Sequence, residues 1–181
     1  MPELIPGKNL GYLGGFNFAV NYFYSRYNYY PEHIVLSNSD LYLQTKSLLN
    51  EIYAKYYNTD YACVGPAIIS TRHHINQNPF MISRVAKSRL QLIKFVDSFY
   101  LIYLIYQLIS IIRSKIKKLT ASVKSEVAAG PVYALHGSFM VFSNAFINKA
   151  FNEFKEAPFL FGEEIFIAEV AKASNMKLYY D

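Results

Sequence analysis

The chain has 181 residues, 52% of them hydrophobic and 17% aromatic, with a formal net charge of +5. That is enough apolar material for one substantial core, so a single domain is expected, and there is no internal repeat or low-complexity tract. Cys63 is the only cysteine and lies in an apolar run, which excludes a disulfide framework or a cysteine metal cluster and fits a reducing cytoplasm.

The first residues, MPELIPGKNLGYLGG, lack the basic start, apolar stretch and cleavage site of a secretory signal, so no export is expected. Asn9-x-Gly11-x-x-Gly14-Gly15-x-Asn17 is a Gly-rich turn opening a helix over 16–26, in which Phe16, Ala19, Val20 and Phe23 recur at helical spacing. Glycines permit positive φ and close approach of a ligand, and a helix start favours an anion; equally, the Asn side chains can cap a tight turn with no ligand. The Gly-x-Gly-x-x-Gly spacing of dinucleotide sites is absent.

Residues 33–37, HIVLS, form a short apolar and β-branched run after Pro31, expected as a buried strand of a parallel sheet. Asn38-Ser39-Asp40 then lies at the carboxyl end of that strand, where α/β sheets place ligands. Asp40 can hold Mg²⁺ or Mn²⁺ against a pyrophosphate, or it can cap a helix over 41–57 that carries Leu48, Leu49, Ile52 and Tyr56 on one side. A strand resumes at 62–65, and the alternation predicts a parallel or mixed α/β sheet. His73 and His74 are adjacent and lack further ligands at zinc spacing, so they are expected in a loop.

The rhythm breaks between 85 and 126, which reads as a helical insertion. Its 95–112 stretch is almost uniformly apolar, and from Arg84 to Lys124 nine basic residues face Asp97 alone. Basic charge suits anionic lipid, nucleic acid or a pyrophosphate; the apolar content favours lipid, and without an aromatic RNA-binding signature no nucleic-acid partner is expected. Asp97 in hydrocarbon would cost roughly 2.5–3.5 kcal/mol, and Tyr100, Tyr103 and Tyr106 recur every third residue, so a helix at a membrane surface, at a homo-oligomer interface or buried within the domain is expected over a span. Further on, 132–135 and 139–142 read as strands, Ser143 as the N-cap of a helix through Phe154, 163–173 as a helix and 177–180 as a strand. Glu163 and Glu164 open their helix, either stabilised there by its dipole or supplying a general base. No Ser or Cys nucleophile signature is present.

In this order, the blocks KNLGYLGGFN, HIVLSNSDLYL, VGPAI, LHGSFMVFS, FLFGEEIFIAE and MKLYYD resemble family-2 glycosyltransferases, and NQNPF at 76–80 is similar to a segment of bacterial members that build surface polysaccharide. The resemblance implies an α/β fold with the Rossmann-like mixed sheet of the glycosyltransferase A type. Asp40 would take the place of the last acid of the metal-binding Asp-x-Asp motif, with Asn38 in its first position. Glu164 would match the second acid of the Glu-Asp pair, the usual catalytic base, and the change from Asp to Glu leaves Glu163 as an alternative base. Gly137 and Ser138, after His136, would line the donor sugar, while Asn9, Gly11, Gly14 and Asn17 would lie near the diphosphate.

That resemblance implies a nucleotide-sugar donor, a glycan or lipid-linked acceptor, and a Mg²⁺ or Mn²⁺ cofactor. It divides the chain into a donor and metal part over 1–84, the insertion over 85–126, and an acceptor and base part over 127–181. Family members begin with a base-binding strand, helix and strand that nothing before Asn9 supplies, and they continue past the last strand, so an incomplete fold, cut at both ends, is expected. The location implied is cytoplasmic and peripheral at the inner membrane face. The rival class is a non-catalytic remnant acting as a membrane-associated or oligomerising binding module.

Overall fold

Helix α1 (Tyr12–Tyr27) begins four residues earlier than its apolar spacing predicts, so Gly14 and Gly15 lie inside it and not in a preceding turn. Each helical glycine costs about 1 kcal/mol, and burial of Leu13 and Phe16 on one face offsets that cost. The chain leaves the helix through Asn28, which adopts the left-handed conformation at φ 58° and returns its N–H to the Tyr24 carbonyl. The computed structural model describes residues 8–56, 59–72, 74–100, 104, 107–109, 127–159 and 162–181.

The remaining elements outside residues 84–128 are β1 (His33–Ser37), α2 (Leu48–Tyr56), β2 (Tyr61–Gly65), β3 (Gly130–Val132), β4 (Phe139–Ser143), α4 (Asn144–Ala150), a 3-10 turn (Phe151–Glu156), α5 (Glu163–Ala173) and β5 (Lys177–Tyr180). They form an α/β fold around one mixed five-stranded sheet of order β1-β4-β2-β5-β3. β2 and β5 are parallel, and β4 runs antiparallel to both β1 and β2. β1 is therefore an edge strand held by an antiparallel neighbour, not the buried parallel strand expected, and its Val35 is 39% exposed. An apolar run identifies a strand without fixing its place in the sheet.

β4 is buried throughout because both of its faces are covered. Phe139 and Val141 meet Ile52 and Tyr56 of α2 together with Val64 and Ile68. On the other face Phe142 meets Phe16, Phe146 and Phe154, with ring centroids 4.9, 6.1 and 6.2 Å away. This period-two alternation puts helices on both sides of the sheet. Ser143 ends β4 and caps α4, its Oγ accepting from the Phe146 N–H at 3.1 Å, and it donates to the Tyr61 carbonyl at 2.5 Å.

α2 starts at Leu48 and not at Leu41. Leu41 instead packs against the α2-side core from an irregular segment, so its apolar character serves burial and not helical periodicity. Likewise β3 ends at Val132, and Ala134 forms an isolated bridge with Met81.

His33 gives the sheet edge a pH dependence. Its Nδ1 lies 2.8 Å from the Tyr61 hydroxyl, and its Nε2 is buried with no hydrogen-bond partner among the described residues. Burial lowers the imidazole pKa below 6.5, opposed by the negative charge of Glu32. A lowered folded-state value means that protonation favours the unfolded chain. The stability it contributes is present above pH 6.5 and is lost as the pH falls from there through the lowered folded value. Urea midpoints should drop across that window, and His33→Asn should flatten the drop.

The chain divides into two compact units, Met1–Ser83 with Ala129–Asp181, and Arg84–Ala128. In the second, α3 (Lys87–Asp97) stops before the predicted apolar helix has properly begun. The Ser98 and Phe99 N–H groups bond the Phe95 and Val96 carbonyls in a tight turn, so 95–112 is not one continuous helix. Leu92, Phe95, Tyr100 and Leu108 are exposed in this unit. Arg113, Lys115, Lys117, Lys118 and Lys124 lie outside the described residues. Among the described residues no helix is long and apolar enough to cross a membrane.

Candidate active site at the carboxyl edge of the sheet

The pairings make β1, β2 and β5 run in one direction, so Ser37, Gly65 and Tyr180 end at the same edge of the sheet. β4 starts there, with Phe139 opposite Ser37. The turn that ends β1 and the turn that precedes β4 are consequently neighbours: the Asn38 N–H donates to the Ser138 carbonyl at 2.8 Å. Asp40 is exposed, two residues further along the first turn. Since no helix starts at Leu41, Asp40 is not a helix cap.

Gly137 is held from two helices. The Tyr12 hydroxyl, at the start of α1, donates to its carbonyl, and its own N–H donates to Glu164 Oε1, at the start of α5, at 3.3 Å. A Cβ on residue 137 would lie 3.1 Å from Glu164 Oε1, which would have to give by a few tenths of an ångström, and in ordinary contact with Glu163 Cγ at 3.4 Å. Glu163 Oε2 is buried without a hydrogen-bond partner among the described residues. Burial, and then the charges of Glu163 and Glu164, push the Tyr12 phenol well above its ordinary value, so it remains a donor at neutral pH. His136 is held by the next residue but one: its Nδ1 accepts the Ser138 N–H at 3.2 Å and meets the Ser138 hydroxyl at 2.9 Å.

The Gly-rich motif divides. Asn9 Oδ1 accepts the Gly11 N–H at 3.0 Å, capping the turn, and Asn17 Oδ1 accepts from Asn21 one helical turn on. Gly11 has φ 73°, and a Cβ there would collide with the Phe159 carbonyl, so the close approach is made by the chain itself. Gly14 lies inside α1, against Leu10. Of this motif's residues, Tyr12 is the one that hydrogen-bonds to the 136–138 turn among the described residues.

Beneath the edge, the 76–80 segment is a strut. Asn78 is 2% exposed; its Nδ2 donates to the Pro66 carbonyl at 2.7 Å and its Oδ1 accepts the His136 N–H at 3.0 Å. Asn76 Oδ1 accepts the N–H groups of Ile68 and Asn78, and its Nδ2 donates to the Tyr180 hydroxyl at 2.7 Å. Asn78→Ala strands the Pro66 carbonyl and the His136 N–H, at about 1–3 kcal/mol for each buried group left unpaired. A urea denaturation series should register that loss, together with weaker binding of any ligand that uses the 136–138 turn.

Burial pushes the Cys63 thiol well above its ordinary value, which leaves it un-ionised and unreactive. His74 sits in a loop at φ 50°, and His73 lies outside the described residues. Among the described residues no group of three or more His, Cys, Asp or Glu converges as a metal site. Asp40 and the Asn38 carboxamide are oxygen donors beside open solvent, a set suited to a hard cation that takes its other ligands from phosphate and water.

Sequence reasoning missed Tyr12 and gave the two asparagines no role. The NQNPF segment was the available signal, since asparagines flanking a turn pair with backbone. Comparison of the chain with protein-family models, curated proteins and solved structures gives no match. Fold and site thus define an α/β protein with a mixed five-stranded sheet and polar turns gathered at one edge.

Proposed function

We propose that this chain carries the core of an inverting, metal-dependent glycosyltransferase of the glycosyltransferase A type, moving a sugar from a nucleoside-diphosphate donor to a hydroxyl of a growing surface glycan. The observation that supports it most is the meeting of the Asp40 turn, the Gly137-Ser138 turn and the Glu163-Glu164 helix start at one sheet edge. Two independently weak signals, an acid after a strand and an acid pair opening a helix, are linked through one short turn.

Asp40 would hold Mg²⁺ or Mn²⁺, with Asn38 beside it. Such a cation, when bound, neutralises the charge that develops on a departing diphosphate. Gly137 and Ser138 would border the donor sugar, and the acid pair would take the proton of the acceptor hydroxyl. The exposed apolar side chains of α3 and the basic composition of the sequence after Ile112 suit an anionic membrane surface, which supports a lipid-linked acceptor. The test is incubation with UDP-, GDP- and dTDP-sugars and Mn²⁺, following release of nucleoside diphosphate. Release that EDTA abolishes is expected; no release from any donor contradicts the proposal.

A further inference from the structure

We infer that the aromatic face at the carboxyl end of α1 is a platform for a neutral glycan; that this glycan is the body of the acceptor rests on the glycosyl-transfer reading above. Leu13, Phe16 and Val20 are buried along one stripe of α1. The stripe continues at helical spacing through Phe23, Tyr24 and Tyr27, and there it runs off the core: Tyr24 is 41% and Tyr27 51% exposed. Tyr29, just past the helix end, is 57% exposed. These rings are set against one another. The Phe23 ring centroid lies 4.6 Å from that of Tyr27 and 5.5 Å from that of Tyr29, edge to face. Tyr24 lies 4.6 Å from Tyr30, whose ring meets Phe151 at 5.9 Å. Each ring has only two side-chain torsions and neighbours that fix them, so a ligand meets a surface already ordered.

The composition of the face selects its occupant. Between Phe18 and Tyr30, Arg26 is the one charged residue, and its guanidinium lies over the Tyr27 ring at 5.9 Å. Binding to an anionic membrane or a nucleic acid draws on several cations, each adding its own increment. A second protein needs area. Stable interfaces bury about 800 Å² per partner, whereas three rings about half exposed offer on the order of 300 Å². A sugar ring needs neither charge nor a large area. It lays an apolar C–H face on an aromatic ring and presents hydroxyls at its rim; here the ring faces carry phenol hydroxyls, and the exposed Asn28 carboxamide stands between Tyr27 and Tyr29 in the chain. Tyr12, whose hydroxyl holds the Gly137 carbonyl, opens the same helix fifteen residues before Tyr27. At 1.5 Å per residue the two ends are about 22 Å apart. That separation suits a chain of several sugars, with its end at the sheet edge and its body on the rings.

Affinity electrophoresis of the full chain through gels containing dextran, mannan or galactan tests the platform. At least one of these should retard the wild-type protein. Tyr27→Ala and Tyr29→Ala should each weaken the retardation by about tenfold, and Tyr27→Phe, which keeps the ring, should retain most of it. Far-UV circular dichroism confirms that the variants fold. Should an Ala variant unfold, the wild type decides: backbone amide signals of residues 23–30 should shift first on titration with an oligosaccharide of the retarding sugar. Retardation by none of the three polysaccharides, retardation that both Ala variants keep, or shifts centred elsewhere overturns the platform. Flotation with phosphatidylglycerol vesicles, or a dimer in sedimentation, that Tyr27→Ala abolishes overturns it in favour of lipid or a second copy. Diphosphate release by the wild type is a separate measurement. Release without retardation removes the platform and leaves glycosyl transfer standing; retardation without release supports the platform and removes glycosyl transfer.

Discussion

Asp40→Asn should weaken Mn²⁺-dependent binding of a nucleoside diphosphate by at least about tenfold, and leave the thermal melt unchanged. Loss of even an outer-shell partner of a bound metal weakens affinity by about 10–100-fold, so loss of a charged oxygen ligand should do no less. The fold should not notice. Asp40 is exposed, lies in a turn, and precedes a helix that starts only at Leu48, so it supports no cap whose removal would destabilise the chain. Asn keeps the size and one oxygen, which isolates the charge as the altered property. Calorimetric titration of UDP with and without Mn²⁺ checks this; unchanged Mn²⁺-dependent affinity removes Asp40 from the site.

Gly11→Ala should be the most destabilising single-methyl change in the described part of the chain, costing more than about 4 kcal/mol. Two costs coincide at this residue. Its φ of 73° with ψ 177° falls in a region essentially reserved for glycine, at a cost of roughly 1–3 kcal/mol for an L side chain, and the new Cβ would strike the backbone carbonyl of Phe159, which cannot rotate aside. Relief requires moving the start of α1, and with it the Tyr12 hydroxyl that holds Gly137. Gly15→Ala is the matched control. A Cβ at Gly15 meets nothing within 4 Å, and inside a helix Ala gains roughly 0.5–1 kcal/mol over Gly. Urea midpoints moving in opposite directions are expected; a Gly11→Ala midpoint within about 1 kcal/mol of wild type would mean that Phe159 does not pack there.

What could be read from sequence was what local chemistry decides. β4, the Ser143 cap, α5 and β5 follow from alternation and capping within a few residues, and they stand where expected. The edge position of β1 did not follow, because HIVLS is apolar enough for the centre of a sheet, and its neighbours are set by a strand more than a hundred residues away. The start of α2 failed for the opposite reason: Leu41 was credited to a helix although its burial comes from tertiary packing. At the site, the acids were legible as types, and their roles were not. Which of Glu163 and Glu164 is occupied depends on the Gly137 N–H, and Tyr12 reaches that glycine across 125 positions of sequence. No local pattern encodes such a contact.

The most direct measurement is the broadening of backbone amide signals by Mn²⁺, which is paramagnetic, in the presence of UDP. A metal and diphosphate at the carboxyl edge should first broaden the amides of Asn38, Ser39, Asp40, Gly137, Ser138, Glu163 and Glu164, and Asp40→Asn should remove the effect. Broadening centred on other residues, or none beyond that of Mn²⁺ alone, would contradict a nucleotide-sugar site at this edge.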